Sequence, residues 1–488
     1  MDTQAIRRKI LDLALRGKLT EQLPEDGTAD EILSEIQQAR IQLEKTGRIK
    51  AISPMPNIQK EETPFVLPNG WAWERLINLY NFIDYRGATP NKIESGIPFV
   101  TAKNVRQGYI DYTIKEYISE SDYNQRQSRG VSRKGDILFT TEAPMGYAAI
   151  ADLETFSAGQ RLITLQQYDG TNYLDNRFFM YCIAGQFFQQ QLANKCSGTT
   201  VKGIKADRLK QFIVPVPPLS EQHRIVKMID SICSVLNTID TLQSQYQDNL
   251  ATLKSKIIDV GTQGKLTEQL PEDGTAEELY QQIQQEKLAL EKTGKTKKVK
   301  PLPPISDEEK PFDIPENWKW VRLGDFYSFT NGTASRGTPG GSPHPVLRLA
   351  DLTSGKIKCD NIRSIDLSDS EFDSHKLLCN DLVFVRVNGS RDRVATAYRY
   401  SEDDEISYCD HLFCGHSVSE RINPDYIVYV FGTANIRAQL EPEIKTTAGQ
   451  NTISQNPLKS VLIPLPPLAE QKRIVAKLEE LLPLCEKG

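Results

Sequence analysis

The chain of 488 residues exceeds the about 100 to 200 residues that one core organises, so two to four units are expected and a single compact domain is excluded. Hydrophobic residues at 39% and charged residues at 25% are ordinary for a globular protein, and no run approaches the roughly 18 apolar residues of a membrane span. A net charge of -5 argues against wholesale coating of nucleic acid, although a global sum can hide local basic surfaces.

Met1 to Leu15 sets Arg7, Arg8 and Lys9 in a helical apolar pattern without a continuous apolar stretch or a small-residue cleavage site, so no export is expected. The eight cysteines are scattered, which suits free thiols in a reducing compartment, and a soluble, cytoplasmic protein with no membrane partner is expected. From Gly17 to Ala29 the sequence then reads GKLTEQLPEDGTA, which returns unchanged as Gly264 to Ala276. Thr28 with Glu31, and Thr275 with Glu278, form capping-box patterns that open polar helices from Ala29 to about Lys45 and from Ala276 to about Lys292. Each helix reads as a solvated face with a linker behind it, including Lys295 to Pro304 after the second, or as a docking surface.

The repetition continues. Leu43-Glu-Lys-Thr-Gly47 matches Leu290 to Gly294, and Pro68-Asn-Gly-Trp71-Ala-Trp73-Glu-Arg75-Leu76 faces Pro315-Glu-Asn-Trp318-Lys-Trp320-Val-Arg322-Leu323. Pro215-Val-Pro-Pro-Leu-Ser-Glu221-Gln222-His-Arg224-Ile-Val226 faces Pro464-Leu-Pro-Pro-Leu-Ala-Glu470-Gln471-Lys-Arg473-Ile-Val475. The chain is a tandem duplication whose repeated markers frame two largely different segments. In the first, Ile97 to Val100 and Asp136 to Thr140 read as strands between Gly and polar turns, and Asp381 to Val385 is the counterpart of the second run.

From Leu219 to Val260 apolar residues recur alternately four and three apart, the heptad signature of a coiled coil. Ile225, Ile229, Ile232, Leu236, Ile239, Tyr246, Leu250, Leu253, Ile257 and Val260 fit, and only Gln243 breaks the series. At about 1.5 Å per residue this predicts a rod of roughly 60 Å. The chain ends supply a second helix in two pieces: Ile474, Leu478, Leu481 and Cys485 match the first half of the heptad series, and Ile6, Ile10 and Leu13 its second half. Aligned this way, Gly488 corresponds to Ile239 and Met1 to Asp248, so about eight residues have no counterpart and the repeat is cyclic.

The expected fold is therefore α+β: two strand-rich mixed α/β domains separated by a pair of long antiparallel coiled-coil helices, in a pseudo-twofold cyclic repeat. The expected bounds are 1–63 for the N-terminal repeat, 64–215 for the first domain, 216–310 for the central repeat, 311–464 for the second domain and 465–488 for the C-terminal half of the second long helix.

In its two variable segments alternating with two repeated ones, its Pro-Pro-Leu-x-Glu-Gln-x-Arg-Ile-Val exits and its Trp-x-Trp pairs after a proline, the whole chain resembles the specificity subunits of type I restriction-modification enzymes. The resemblance implies that each variable segment is a target-recognition domain for one half of an asymmetric split site in double-stranded DNA. It further implies that the helices set the spacing and bind the modification (methyltransferase) subunits, with restriction (motor-nuclease) subunits completing the enzyme. The chain itself would then be non-catalytic, and S-adenosylmethionine, ATP and magnesium would belong to the partner subunits. Two modules on a rigid rod suit such a site physically, since each mismatch costs about 1 to 3 kcal/mol and linkage supplies the remaining discrimination.

Pro64 to Pro215 carries 17 Lys and Arg against 14 Asp and Glu, net +3, while Phe312 to Pro464 carries 16 against 20, net -4. Neither is broadly basic, but cations cluster. Arg126, Arg129, Arg133 and Lys134 form one group; Lys195, Lys202 and Lys205, with Arg208 and Lys210, form another; Arg386, Arg391, Arg393 and Arg399 form a third. Such groups can hold phosphates, and Arg, Asn or Gln among them, including Asn388, Gln450 and Asn451, can read base edges; each cluster could equally be a solvated face. The stretches Ser197 to Gly203 and Thr446 to Thr452 precede the exits at equivalent places, as phosphate-approaching loops or plain surface turns.

Catalytic patterns are weak. Pro424-Asp425 with Glu443-Ile-Lys445 uses common residues at loose spacing and has no match in the first domain, so a stand-alone metal nuclease is a minor alternative. Asn423-Pro-Asp-Tyr426 lacks the second proline of the amino-methyltransferase signature, and no P-loop exists. Cys409-Asp-His411-Leu-Phe-Cys414-Gly-His416 offers four soft ligands, but its one-residue gaps differ from the usual zinc spacing, so buried thiols and ordinary histidines, and no metal, are expected. A protein-only coiled-coil scaffold would explain the heptads but not the two unlike domains in matching frames.

Overall fold

The computed structural model describes residues 1–168, 172–196, 202–294, 301–353 and 355–486. The chain divides by compactness into Met1–Gln243 and Ser244–Gly488, a boundary that falls inside one helix, Leu219–Thr262.

In the first unit the strand Ala72–Arg75 pairs antiparallel with Ile213–Val216, in register Ala72 to Val216. Between them lies an antiparallel sheet in the order Tyr80–Asp84, Leu162–Gln167, Ile137–Thr140, Ala148–Ile150. Strand alternation gives this sheet two buried faces. Ile137, Phe139, Ile163 and Leu165 join the core formed with the helices Thr3–Leu15, Ala29–Lys45, Asn176–Ala184, Gln186–Lys195 and the start of Leu219–Thr262. Leu138, Ile83 and Leu162 form a second, smaller core with residues of the sheet containing Ile97–Val100 and Ser157–Ala158.

The second unit repeats the plan. Lys319–Arg322 pairs with Leu462–Leu465, and the sheet runs Tyr327–Asn331, Leu412–Ser417, Leu382–Val385, Ala397–Arg399. Leu382, Phe384 and Phe413 face helices that include Ala276–Lys292, Pro424–Phe431 and Leu468–Leu481, while Val383, Val385, Leu412 and Cys414 face the other core. The expected runs 97–100, 136–140 and 381–385 are strands, the last two beginning one residue later, at Ile137 and Leu382. A further three-stranded sheet joins Val387–Asn388, Gln450–Thr452 and Lys445–Thr447.

Matching helix ends show why the repeated glycines are required. Thr3–Leu15 ends at Gly17, with φ +62°, where Lys18 N–H returns to the Leu13 carbonyl at 2.8 Å. The long helix ends at Gly264, with φ +73°, where Lys265 N–H returns to Val260 at 3.0 Å. A Cβ on Gly17 would stand 2.3 Å from Pro68 Cγ, and one on Gly264 2.5 Å from Pro315 Cγ, so both conformation and close approach exclude a side chain. At the other polar-helix end, Thr275 and Glu278 exchange backbone and side-chain bonds at 3.1 and 3.3 Å, and Thr28 N–H donates to Glu31 at 3.3 Å, as the capping-box reading expects.

The heptad seam holds through its first half and only in part of its second. Ile225, Ile229 and Leu236 are buried, Ile232 and Ile239 partly so, in one core with Ile10 and Ile6; Leu13 is half-buried. Thr3 Oγ1 donates to Asp240 at 2.5 Å and Arg7 to Asn237 at 2.8 Å, so this pair of helices runs antiparallel. In the second unit Ile474 and Leu478 are buried with Ile257 packed beside them, and Leu481 and Leu250 are half-buried. Tyr246, Leu253 and Val260, however, are exposed, contrary to the continuous seam. The facing pieces reach Asp240 from Thr3 and Lys254 from Glu486. Residues 241–249 between them are all exposed, and this stretch overlaps the eight-residue gap in the alignment. Beyond Leu481 the chain tightens into the 3-10 turn Leu482–Glu486 around Pro483, which has no N–H to continue an α-helix.

Candidate nucleic-acid interface

At one end of each central sheet three loops are fused by backbone hydrogen bonds. In the first unit Thr141 N–H donates to the Arg161 carbonyl at 3.0 Å, the Thr141 carbonyl accepts Ile204 N–H at 3.0 Å, and Glu142 bridges to Gly203. In the second, Arg386 N–H donates to His411 at 2.8 Å, the Arg386 carbonyl accepts Ile453 N–H at 3.1 Å, and Val387 and Asn388 pair with Thr452 and Asn451. The strand registers make Thr141 equivalent to Arg386, Arg161 to His411 and Lys202 to Asn451. Polar side chains, Lys202 exposed and Arg386 half-buried among them, thus stand on backbone whose own bonds are satisfied.

The side chains differ completely. In the first unit Lys202 and Lys205 are exposed, Arg161 pairs with Glu142 at 3.3 Å, and Arg129 donates to the Arg86 carbonyl at 2.6 Å. Arg86 is clamped by Asp84 at 2.6 Å; that bond and the charges of Asp84, Asp207 and Glu142 raise its pKa against burial. In the second unit Arg386 donates to the Asp410 carbonyl at 3.1 Å with its guanidinium 5.5 Å from the Phe413 ring. Asn388 caps Ser390 N–H at 2.8 Å; Asn451 donates to Gly389 at 2.9 Å and accepts from Thr446 at 2.7 Å. Gln450 is exposed just after a turn in which Ala448 and Gly449 have φ +48° and +77°. A cavity of about 500 Å³ opens among Asn331, Arg386, Phe413, Lys445 and Gln455.

The structure thus gathers Arg129, Lys202 and Lys205 in one unit, and Arg386, Asn388 and Gln450 in the other; Asn451 lies beside them but is buried, its amide spent on Gly389 and Thr446. It places the remaining candidates elsewhere. Arg126 is buried: Nε donates to Ser157 at 2.9 Å, the terminal nitrogens reach the Ala88 and Ala158 carbonyls, and the group lies 4.5 Å from the Tyr85 ring. It is a core cation, satisfied by carbonyls, whose pKa burial lowers. Arg133 and Lys134 precede Ile137–Thr140 and so lie at the opposite end of that strand, Lys134 paired with Glu154 at 2.7 Å. Lys195 lies 5.4 Å from the Phe212 ring.

Arg391 is held by Glu441, and Arg393 donates to the Leu352 carbonyl at 3.1 Å. Arg399, registered opposite Leu382, lies at the far end of the sheet from Arg386 and pairs with Asp425. Of the loop before the first exit, residues 197–201 lie outside the described residues, as do residues 295–300 of the second linker.

Sequence reasoning passed over Arg86 and Arg161, and met His411 and Lys445 only in the Cys/His and Glu-x-Lys patterns. Position just before a buried strand is the signal for two of them: Arg161 precedes Leu162–Gln167 as His411 precedes Leu412–Ser417.

The minor patterns do not assemble. Asp425 lines a different cavity from Glu443 and Lys445. The Cys/His patch splits, with Cys409, Asp410 and His411 in one group and Cys414 and His416, with Asp381, in another.

Duplicated modules of this kind, each carrying a polar loop end on a common backbone frame, are the architecture of a recognition protein built from one repeated unit. The family model described as the type I restriction modification DNA specificity domain matches twice, at residues 75–246 and 315–486, and the chain belongs to that family. It is 28% identical to the type I restriction enzyme EcoAI specificity subunit of Escherichia coli over 99% of this chain and 89% of that protein. Identity to the EcoEI specificity subunit of the same species is 26%, with the same coverage of both chains. Among solved structures, one from a study of complex assembly and conformational transition of the type I R-M system is similar over 87% of this chain and 93% of its own, with a TM-score of 0.57 at 20% identity, a likeness of fold. No helix among the described residues is long and apolar enough to cross a membrane.

Proposed function

We propose that the chain is the DNA-recognition subunit of a type I restriction-modification enzyme and reads an asymmetric bipartite site, one half through each of residues 64–215 and 311–464. The observation that carries this reading is the pair of equivalent three-loop ends, alike in backbone and unlike in side chains. The first, with Arg86, Arg129, Arg161, Lys202 and Lys205, is suited to phosphates; the second adds amides at Asn388 and Gln450 that can read base edges, with the buried Asn451 bracing the loop between Gly389 and Thr446. Different side chains on the same frame imply different half-sites, so the target is not a palindrome.

The chain itself is non-catalytic and cytoplasmic. Methyltransferase subunits, with S-adenosylmethionine, and restriction subunits, with ATP and magnesium, supply the chemistry, and the helix Leu219–Thr262 serves as the spacer. Co-expression with the cognate modification subunit in a methylation-free host, followed by single-molecule sequencing of modified bases, tests this. A split asymmetric motif with a fixed gap is expected; an assembled complex that methylates nothing, or that methylates a palindrome, overturns the reading.

A further inference from the structure

The second unit holds a group of side chains that DNA recognition does not use. Asp381, Cys414 and His416 bring a carboxylate oxygen, a sulfur and a ring nitrogen within 4.8 Å of one another. Strand geometry makes the group: Cys414 and His416 alternate onto one face of Leu412–Ser417, and Asp381 precedes Leu382, which pairs with Gly415 between them. His416 Nδ1 lies 2.9 Å from Asp381 Oδ2 and 3.7 Å from Cys414 Sγ. Its Nε2 lies 3.4 Å from Thr330 Oγ1, which meets the Tyr408 hydroxyl at 2.5 Å, the outer support that orients a ligating imidazole.

Tyr327 is 3% exposed and its hydroxyl has no partner. It lines, with Asp381, His416, Arg399 and Asp425, a cavity of about 1050 Å³. The first unit shows what a purely structural version looks like. There Asp136, Thr164 and Gln166 hold the equivalent places, Gln166 donates to Asp136 at 2.8 Å, Thr164 meets Ser132 at 2.7 Å, and the equivalent Tyr80 donates to Asn176 at 2.9 Å. In the second unit sulfur and imidazole replace hydroxyl and amide, and Pro424 replaces Asn176, which leaves the tyrosine unpaired.

We propose that Asp381, Cys414 and His416 form a site for a divalent d-block cation, zinc above all, with Asp381 Oδ, Cys414 Sγ and His416 Nδ1 as ligands and the fourth position toward the cavity that Asp381 and His416 line. Ligand bonds of about 2.0 to 2.3 Å in a tetrahedron separate nitrogen from sulfur by about 3.5 Å and nitrogen from oxygen by about 3.3 Å. The two existing separations from His416 Nδ1, 3.7 and 2.9 Å, therefore need to shift by only about half an ångström. The carboxylate and the thiolate cancel both charges of the ion, so the buried complex is neutral; binding releases the Cys414 thiol proton to solvent, and affinity rises with pH. The site is not the Cys409 to His416 patch of the sequence, because its third ligand, Asp381, comes from another strand and Cys409 and His411 take no part. It is independent of the DNA-recognition reading.

The full chain, stripped with chelator and dialysed, is titrated with cobalt(II) and then with zinc. One cobalt per chain is expected, with a thiolate charge-transfer band and the intense visible bands of a tetrahedral ion, displaced by zinc, and zinc should raise the melting temperature. The variants Cys414→Thr and His416→Gln install the first unit's residues and so keep a fold-compatible network. Cys414→Thr should abolish the charge-transfer band, His416→Gln should weaken zinc by more than about a hundredfold, and neither should then be stabilised by zinc. Cys409→Ser should change nothing. Absence of the charge-transfer band in the parent chain, its survival in Cys414→Thr, or its loss in Cys409→Ser would each overturn the site.

Discussion

Glu221 offers the sharpest test of how each recognition domain is fastened to the long helix. Its side chain, 1% exposed in the helix's first turn, accepts from Trp71 Nε1 at 2.7 Å, Gln22 Nε2 at 2.7 Å and Thr20 Oγ1 at 3.1 Å. Glu221→Gln keeps size but removes charge, and whichever way the amide turns, its NH2 faces the N–H of Trp71 or of Gln22. Losing the charge-assisted character of the bonds and leaving one buried donor unsatisfied should together cost about 3 kcal/mol. For a unit of this size that lowers the melting temperature by about 6 to 12 °C. Urea unfolding and calorimetry measure the loss, and peptide-resolved hydrogen exchange should place it within Met1–Gln243. The duplicate is a built-in replicate: Glu470 accepts from Trp318 at 2.8 Å, Gln269 at 2.9 Å and Thr267 at 3.2 Å, so Glu470→Gln should cost the same with increased exchange in Ser244–Gly488. A loss under about 1 kcal/mol in both variants, or a Glu221→Gln and Trp71→Phe cycle without coupling, would refute the clamp.

Burial pushes the Asp136 carboxyl up to about 6 against the bonds it accepts from Arg133 and Gln166. Because the folded value lies above the unfolded one, the folded state holds the proton more tightly, and stability falls as pH rises from about 4 through about 6, by about 3 kcal/mol. Asp136→Asn should therefore gain on the parent chain across that window in urea titrations, and parallel pH profiles would disprove the assignment. Replacing Lys202 and Lys205 together by alanine should weaken DNA binding by the assembled complex on specific and random duplexes alike. It should flatten the plot of log affinity against log salt by up to about 2, roughly 0.9 per phosphate contact; an unchanged slope would remove both residues from the interface. Arg126→Ala should do the reverse, lowering the melting temperature because it strips ring and carbonyl contacts from a buried position, while the salt slope of any folded protein stays the same. Gln450→Ala should relax base preference in one half-site of the methylation motif and leave the other half-site intact, as sequencing of modified bases would report.

What could be read in the sequence is what is written twice. Gly17 and Gly264, the Trp71 and Trp318 pair, and Glu221 with Glu470 recur because each makes the same contact in its own unit, and contact-bearing residues betray themselves by repetition. The seam was legible where apolar spacing meets a facing helix, at Ile225, Ile229, Ile474 and Leu478, and misleading at Tyr246 and Leu253, since spacing states which face is apolar but not whether anything covers it. Interface residues were harder still. Arg126 stands in a run of cations yet is buried, because proximity along a chain says nothing about the side of a turn on which a guanidinium ends. Arg86 and Arg161 went unnoticed as isolated cations, and only the hydrogen bonds between loops bring them beside Lys202 and Lys205.

The two halves can also be set against each other. Gln222 accepts Asp175 N–H and Gln471 accepts Asn423 N–H, both at 2.9 Å. Arg224 grips Asp26 as Arg473 grips Asp273, and Arg75 grips Glu62 as Arg322 grips Glu309. These polar contacts are retained where each domain meets its helices and linker. At the far end of each sheet the backbone bonds are retained with equal fidelity while the side chains are not: Thr141 stands opposite Arg386, Arg161 opposite His411 and Lys202 opposite Asn451. If those loops served only to close the sheet, the residues there would be free to drift toward any small polar type. Instead one end gathers lysine and arginine and the other arginine with amides, two distinct chemistries on one scaffold. A fixed mount carrying unlike side chains is what the proposed reading of two unlike half-sites requires.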